Sequence, residues 1–231
     1  MFIWGHRGCR GIGGMDENTL PAFNWAVENG CHGLEFDVQL SRDGVPFVFH
    51  DATLTRLTGG RDKREVQGLC MDELRRISLQ NGGQIPALKD LLRFNEKLVM
   101  NLEIKSTQAI ESAVKFVKEN ALFDWVVSSF LFDALVYTRS ELPKQPIGYL
   151  LERGSLEPMS MCVARAREQI ERLKPDRIHL DDALATVPEL DWLRSHVCPI
   201  HVWTVNEQKR GALLKTSGVA GIFTDDVRLF T

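Results

Sequence analysis

The chain has 231 residues, of which 44% are hydrophobic and 26% are charged, and its formal net charge at pH 7 is -3. This length allows one large domain or two small ones, and the composition is that of a folded globular protein. The charge shows no basic excess of the kind that nucleic-acid binding uses, so we expect no nucleic-acid partner. An anionic small-molecule substrate remains compatible, because a few local basic groups are enough to bind it.

The first residues and the cysteines indicate in which cellular compartment the protein is expected. The opening stretch, MFIWGHRGC, lacks the basic and long apolar regions of a secretory signal and is typical of a first β-strand. No apolar run approaches the roughly 20 residues that a membrane-spanning helix needs, so we expect no stable membrane insertion. The cysteines are odd in number and form no CxxC pair: Cys9, Cys31, Cys70, Cys162 and Cys198. This pattern predicts reduced thiols and a cytoplasmic protein.

Strand-like and helix-like segments alternate along the chain. Eight apolar, β-prone runs occur in the order FIWGHRG, GLEFDVQL, LVMNLEIK, WVVSSF, PIGYLL, RIHL, PIHVWTV and GIFTDD. Most are separated by helix-prone segments, namely TLPAFNWAVENG, LKDLLRFNE, TQAIESAVKFVKENA, LFDALVYTRSEL, MSMCVARAREQIERL, VPELDWLRSH and NEQKRGALLKTSG. Thr19 before the first helix, with Gly30 and Gly218 after helices, indicates helix boundaries. The alternation predicts an α/β fold, and eight strands predict a (β/α)8 TIM barrel, with an open doubly wound sheet as the alternative.

One region interrupts this alternation. From about residue 51 to residue 84 the chain is polar and rich in turns, with a short helical piece around MDELRRISL. A loop of this length inside a compact domain is usually functional. We therefore predict a single domain over residues 1–231, with an insertion subdomain at about 51–84, after the second strand, that covers one face of the barrel.

Charged side chains lie near the carboxyl ends of the predicted strands. Glu35 and Asp37 share one face of the second strand, and Glu103 and Lys105 share one face of the third, because side chains alternate along a strand. Active sites of (β/α)8 barrels lie at this end. Three neighbouring carboxylates repel one another unless a cation binds them, and their oxygen ligands favour one Mg²⁺ or Ca²⁺ ion. The alternative is that each carboxylate forms a separate salt bridge at the rim.

Basic and aromatic residues of the same region suggest phosphate chemistry. Arg7 offers a planar guanidinium and Lys105 a point charge for a phosphate group. His6 and His50 titrate near neutrality and could act as general acid and base in the cleavage of a phosphodiester. Trp203, at the end of the seventh predicted strand, either packs in the core or contacts a small substrate. Other strand-end polar residues are Ser128, Ser129, His179, Asp181, Thr224 and Asp225, while we expect His32, His196 and His201 at the surface or behind the site.

These motifs resemble those of the glycerophosphodiester phosphodiesterase family along nearly the whole chain. The matching motifs, in order, are GHRG (5–8), ENTLPAF (17–23), EFDVQLSRDG (35–44), HDATLTRLTGG (50–60), IPAL (85–88), NLEIK (101–105), SSF (128–130), VWTVN (202–206) and GIFTD (221–225). Nine motifs in the family's order are far more specific than any one of them. The insertion after His50 matches as well, since members of this family resemble barrels with a small subdomain at that point.

The resemblance implies an activity and a set of roles. It implies hydrolysis of glycerophosphodiesters, such as glycerophosphocholine or glycerophosphoethanolamine, to glycerol 3-phosphate and an alcohol. The residues at the family's positions are Glu35, Asp37 and Glu103 as ligands of one divalent cation, His6 and His50 as the acid/base pair, Arg7 and Lys105 at the phosphate, and Glu17 and Asn18 in the loop that shapes the mouth. We expect the partner to be this small substrate.

Some features leave alternatives open. The loop CRGIGGMD is longer than usual and ends in Asp16 where the family commonly has proline, which bears on substrate preference. The alternatives are a lysophospholipase D-like phosphodiesterase acting on lipid-derived substrates and a non-catalytic barrel that binds phosphodiesters. The sequence does not decide the head group, the choice of Mg²⁺ or Ca²⁺, which histidine is the acid, direct water attack against a cyclic phosphate intermediate, or the oligomeric state.

Overall fold

The computed structural model describes residues 1–94, 98–152, 159–186, 191–193 and 199–231, with only the backbone for 159–165. Eight parallel strands form a closed barrel: β1 (Phe2–Gly5), β2 (Gly33–Leu40), β4 (Val99–Ile104), β5 (Asp124–Ser129), β6 (Ile147–Leu151), β7 (Arg177–Asp181), β8 (Ile200–Trp203) and β9 (Gly221–Thr224). Closure is direct, because β1 pairs in parallel with both β2 and β9. The predicted (β/α)8 TIM barrel is confirmed, and the open doubly wound sheet is wrong.

A ninth strand, β3 (Pro46–Val48), was not predicted from the sequence. It runs antiparallel to the end of β2, with Val48 opposite Val38. Gly44 makes the turn between them at φ 76°, a left-handed conformation that glycine adopts without steric cost. The backbone N–H of Phe49 then donates to the Asp37 carbonyl at 2.9 Å. This hairpin returns the chain to the carboxyl end of β2, where His50 follows.

The helices agree with the predicted segments in most places. They are α1 (Leu20–Glu28), α2 (Met71–Arg75), α3 (Ile110–Glu119), α4 (Phe132–Glu141), α5 (Met159–Leu173) and α6 (Gln208–Thr216), with 3₁₀ turns at Val66–Gly68, Leu88–Arg93, Thr107–Ala109, Asp182–Leu184 and Val227–Leu229. Thr19 caps α1, and Gly30 and Gly218 follow α1 and α6 with positive φ. Within the predicted segment LKDLLRFNE, Leu88–Arg93 is 3₁₀ rather than α-helical, since the N–H groups of Asp90 and Phe94 donate to carbonyls three residues back. The last two residues of that segment lie outside the described residues. Most of the segment VPELDWLRSH lies outside the described residues.

One apolar cluster surrounds the barrel wall, and a separate one fills the insertion. The larger one packs the helices on the outer face of the strands, with residues such as Phe36, Leu102, Val127, Ile178 and Ile222. The smaller one joins β3 to the insertion, with Phe47, Phe49, Leu54, Leu74 and Ile85. The insertion therefore has a core of its own that adjoins the hairpin carrying His50.

The barrel interior below the carboxyl ends is filled by aromatic rings. Trp4 stacks on Phe223 with ring centroids 5.5 Å apart, and His179 lies 4.8 Å from the Phe223 centroid. The indole N–H of Trp4 donates to Nδ1 of His201 at 2.6 Å. Both histidines are buried, which excludes a surface position for His201 and leaves the other alternative, a position behind the site. His179 lies deeper than a strand-end position suggests. His32 is exposed as expected, and His196 lies outside the described residues.

Candidate active site

A cavity of about 380 Å³ opens at the carboxyl end of the barrel. Seven of the residues singled out from the sequence line it: His6, Arg7, Glu35, His50, Glu103, Lys105 and Trp203. The other three, Glu17, Asn18 and Asp37, are buried and all contact Arg7: Glu17 and Asp37 contact its guanidinium, and the Asn18 backbone N–H donates to the Arg7 carbonyl. The structure thus brings all ten predicted site residues to one place, as their positions at strand ends require.

Three carboxylates form the floor of this site. Asp37 on β2 lies opposite Glu103 on β4 in the parallel register, and Glu35 shares its strand face with Asp37. One carboxylate oxygen of each lies within 4.8 Å of the others. Burial and the charges of the neighbouring carboxylates raise the pKa of Glu35 well above its usual value, and the same causes raise that of Glu103. Such a group binds a proton or a cation more readily than an isolated carboxylate does.

The residues present fit one hard divalent cation. Among the described residues, the buried Oδ1 of Asp37 has no hydrogen-bond partner, which leaves a carboxylate oxygen available as a ligand. Three carboxylates with space for water or substrate oxygens match the ligand preference of Mg²⁺ and Ca²⁺. The remaining contacts fix the ligands: the Arg7 backbone N–H donates to Glu35 Oε2 at 2.9 Å, and the Asn18 amide donates to Asp37 Oδ2 at 2.7 Å.

Lys105 and Arg7 supply the positive charge around these carboxylates. Lys105 Nζ donates to Glu103 Oε1 at 2.8 Å, and Arg7 Nε lies 3.2 Å from Asp37 Oδ2. Burial by itself raises the pKa of Asp37, but the charges of Arg7 and Lys105 outweigh burial and lower it. Burial likewise opposes the charge on Lys105, while Glu103 and Asp37 raise its pKa above the usual value. Both cations are therefore held in their charged forms at the cavity wall.

His6 is fixed by a pair of residues from the far end of the chain. Its Nδ1 lies 2.7 Å from Asp225 Oδ1, and the Asn206 amide donates to Asp225 Oδ2 at 2.7 Å. Barrel closure brings them together, because Gly5 of β1 lies opposite Thr224 of β9. Burial lowers the pKa of His6, although the hydrogen bond to Asp225 acts in the opposite direction. With Nδ1 occupied, Nε2 is the nitrogen left for proton transfer.

His50 has an equivalent arrangement built from the insertion. Its Nδ1 lies 2.7 Å from Asp51 Oδ1, and Arg56 Nε donates to Asp51 Oδ2 at 2.7 Å. Arg56 also contacts Glu17 Oε1 at 2.7 Å, and Arg7 Nη1 donates to the same oxygen at 2.7 Å. Burial opposes the charge of Glu17, but its hydrogen bonds to Arg56 and Arg7 lower its pKa to about 2. Arg10 Nε also lies 3.2 Å from Glu17 Oε2, so Glu17 binds three arginines beside the cavity instead of facing the cavity itself.

The GHRG turn owes its shape to close packing against α1. Arg7 and Asn18 have positive φ angles of 53° and 58°, a left-handed conformation that is uncommon for non-glycine residues. Gly8 has φ 78°, and a Cβ atom there would lie 2.7 Å from the Ala22 backbone. A side chain at Gly8 would therefore displace the turn that directs the Arg7 N–H toward Glu35.

Trp203 is packed into the barrel wall and also lines the cavity, while its contact with a substrate stays a prediction. Its indole N–H donates to the His179 carbonyl at 3.0 Å, and its ring packs edge-on against Phe130 at 5.6 Å. Lys105 Nζ lies 5.6 Å from the same Phe130 ring. Trp203 therefore lines the cavity and is fixed by the barrel wall at the same time.

Several contributors were not assigned from the sequence. The Gln39 amide donates to the consecutive carbonyls of Phe49, His50 and Asp51, at 2.9, 3.2 and 2.9 Å. Asp16 accepts from the backbone N–H groups of Asn81 and Gly83, both at 3.0 Å, and so ties the long CRGIGGMD loop to the insertion. The alternation of Glu35, Asp37 and Gln39 on one strand face was the available signal for Gln39. Asp16 offered only its departure from the family pattern.

Comparison with known proteins gives a consistent result. A family model described as "Glycerophosphoryl diester phosphodiesterase family" matches residues 6–229. The glycerophosphodiester phosphodiesterase of Caldanaerobacter subterraneus subsp. tengcongensis is 30% identical, over 92% of this chain and 89% of its own length. The crystal structure of a glycerophosphodiester phosphodiesterase from Thermotoga maritima has a TM-score of 0.81 and 29% identity, covering 100% of this chain and 96% of that one. An Oleispira antarctica phosphodiesterase, solved with the product sn-glycerol-3-phosphate, matches in fold with a TM-score of 0.82 at 24% identity, over 97% and 93% of the two chains.

No helix in the described ranges combines the length and the apolar character needed to cross a membrane.

Proposed function

We propose, on the premise that this chain belongs to the glycerophosphoryl diester phosphodiesterase family, that it hydrolyses glycerophosphodiesters to glycerol 3-phosphate and an alcohol. Glycerophosphocholine and glycerophosphoethanolamine are the substrates we expect first. The observation that carries the proposal is one cavity lined by two carboxylate-bound histidines, His6 and His50, together with members of a three-carboxylate group. A barrel that merely bound phosphodiesters would need neither histidine to be held by an aspartate.

Glu35, Asp37 and Glu103 would hold one Mg²⁺ or Ca²⁺ ion, which when bound neutralises phosphate charge and orients the diester. Arg7 and Lys105 bind the phosphate oxygens and stabilise the negative charge that develops on them. One histidine removes the proton of the attacking nucleophile, which is water or a substrate hydroxyl, and the other donates a proton to the alcohol oxygen as its bond to phosphorus breaks. If the substrate hydroxyl attacks first, water then opens the cyclic phosphate to give glycerol 3-phosphate. Asp225 and Asp51 hold the two rings so that Nε2 of each is presented for these transfers.

The organisation of the chain is part of the same proposal. We regard residues 1–231 as one domain, with residues 51–84 as an insertion whose small apolar cluster supports the His50 loop. A cytoplasmic location is supported by free cysteines, since Cys9, Cys31 and Cys70 are unpaired.

The experiment that tests the activity is the release of glycerol 3-phosphate from glycerophosphocholine by purified protein. The protein is first treated with EDTA and then supplied with Mg²⁺ or Ca²⁺ in separate series. We expect no release in EDTA and restored release with at least one ion, which also identifies the working ion. A folded sample that releases nothing with either ion would contradict the proposal.

A further inference from the structure

A second cavity of about 180 Å³ lies between strands β6 and β7 and helix α5. Its walls are largely apolar and include Tyr149, Ile170, Leu180, Leu184 and Trp192. Tyr149 and Leu180 stand on the outer faces of their strands, so this space lies in the layer between the barrel wall and the helix. It is a different space from the catalytic cavity, which lies inside the strands.

Three polar side chains on the wall of this second cavity, those of Tyr149, Gln169 and Arg167, already have partners. The Tyr149 hydroxyl donates to Gln169 Oε1 at 2.5 Å. The Arg167 guanidinium lies over the Trp192 ring, 4.4 Å from its centroid. Because Arg167 brings a positive charge to this aromatic face, a quaternary ammonium group such as choline gains little there. The lining favours a neutral apolar group.

The two cavities adjoin each other. Phe130, Leu150 and Glu152 line both of them, and Glu152 is exposed at the shared rim. The Phe130 ring also contacts Lys105, which stands at the proposed phosphate position. A substituent on a phosphate held near Lys105 can therefore reach the second cavity past Phe130.

We propose that this second cavity binds the leaving alcohol, and that the enzyme prefers diesters of glycerol 3-phosphate whose alcohol carries a short alkyl or aromatic group. The inference rests on the proposed phosphodiesterase function and narrows its substrate class. An apolar protein cavity of about 150 Å³ holds a benzene molecule. A cavity of the present size therefore accommodates roughly six to eight carbons, which excludes the full length of a fatty acyl chain.

The test compares kcat/KM for glycerol 3-phosphate release from diesters of choline, ethanol, 1-butanol, 1-hexanol and 1-octanol. In the wild type we expect kcat/KM to rise about three- to fourfold per methylene, equivalent to ~0.8 kcal/mol per buried CH₂, and then to level off when the cavity is full. Ala166 lines the cavity, so Ala166→Phe fills it and should abolish the rise while glycerophosphocholine turnover persists. Ala166→Leu fills the cavity partly and replaces Ala166→Phe in the test if the phenylalanine impairs folding.

The matched control is Ala212→Phe, which makes the same change at an exposed position on α6 and should keep the wild-type rise. Binding of 1-hexanol, followed by ligand-observed NMR, reports on the cavity without catalysis: we expect binding to the wild type and to Ala212→Phe but not to Ala166→Phe. A flat alcohol series in an active wild-type enzyme, a rise that survives in Ala166→Phe, or equal hexanol binding by all three proteins would overturn the inference. If no diester at all is hydrolysed, the proposed function fails, and the hexanol result alone decides whether the cavity binds apolar groups.

Discussion

His6 and His50 each contact an aspartate, but the negative charge of the two aspartates is neutralised to different extents by their other neighbours. In each case a carboxylate oxygen lies 2.7 Å from Nδ1. Asp225, the partner of His6, is supported by the neutral amide of Asn206, whereas Asp51, the partner of His50, forms an ion pair with Arg56. His6 therefore faces a carboxylate with more of its charge available than His50 does. Two rings with the same geometry and different electrostatics suit one acid and one base.

The first prediction concerns these two side chains. His6→Ala and His50→Ala should each lower kcat by about 10²- to 10⁴-fold, the usual contribution of a general acid or base, while divalent-ion binding measured by calorimetry stays intact. His32→Ala, an exposed histidine beyond the other end of the barrel, is the control and should keep wild-type turnover. Wild-type kcat in both site variants would refute the acid/base assignment.

The second prediction concerns the carboxylates. Because burial and neighbouring charges raise the pKa of Glu35 well above its usual value, the ion-free protein holds a proton there more readily, and Glu35→Gln imitates that protonated form. We expect the melting temperature of Glu35→Gln in EDTA to stay close to that of the wild type. The rise produced by added Mg²⁺ or Ca²⁺ should be strongly reduced, and half-maximal activity should need more ion. An equal ion-dependent rise in both proteins would show that Glu35 is not a ligand.

At the scale of elements, strand β2 supplies the site with three consecutive inward residues. Glu35 and Asp37 point to the proposed ion, and Gln39, one step further along the same face, holds the backbone of the His50 loop by its amide. The antiparallel hairpin with β3 brings that loop back over β2. One strand therefore fixes the distance between the carboxylates and a proposed catalytic histidine.

The third prediction tests this arrangement. Gln39→Glu replaces the donating amide by a carboxylate that repels three carbonyl oxygens, so His50 should shift. We expect kcat to fall about 10- to 100-fold with little change in KM or in ion affinity, because the phosphate and ion contacts are elsewhere. Gln67→Ala removes only the contact to Gln39 Oε1 at 3.2 Å and is the matched control. If Gln39→Glu changes thermal stability but not kcat, Gln39 is structural only.

The eight parallel strands could be predicted because each is an apolar run between helix-like segments. Strands buried on both faces are nearly continuous in hydrophobic residues, which distinguishes them from amphipathic helices. Strand β3 could not, since three residues beginning with Pro46 carry too little pattern, and its pairing depends on the turn at Gly44. The segment at Leu88–Arg93 has helical composition, but its hydrogen bonds reach back three residues instead of four. Local composition indicated a helix there without distinguishing the two types.

Across the molecule, the sequence predicts which site residues lie together when they belong to the same strand, but not when barrel closure brings them together. Glu35 with Asp37, and Glu103 with Lys105, follow from alternation along β2 and β4. The contact of His6 with Asp225 joins residues 219 positions apart and exists only because β1 and β9 close the barrel. The interior histidines had no sequence signal either, since His179 fits only because Gly148 has no side chain: a Cβ there would lie 2.5 Å from the ring.

Those interior histidines should make the folded protein sensitive to acid. Burial lowers the pKa of His201 to about 3 and that of His179 well below its usual value, so both stay neutral in the folded state. The unfolded chain binds a proton at each below pH 6.5, so stability falls as pH drops from 6.5 toward 3, with no contribution above 6.5. His201 contributes about 1.4 kcal/mol per pH unit in that window, and His179 acts in the same direction.

His201→Gln removes one of these protons while its amide oxygen can still accept the Trp4 indole N–H. We therefore expect the free energy of unfolding, measured by urea denaturation in EDTA, to fall between pH 7 and pH 5 by roughly 2 kcal/mol less in His201→Gln than in the wild type. His32→Gln, at an exposed position, is the matched control and should follow the wild-type curve. Parallel curves for His201→Gln and the wild type would mean that His201 keeps its ordinary proton affinity inside the barrel. The acid sensitivity would then point to His179, whose buried ring also stays neutral, because the raised pKa values of Glu35 and Glu103 act in the opposite direction.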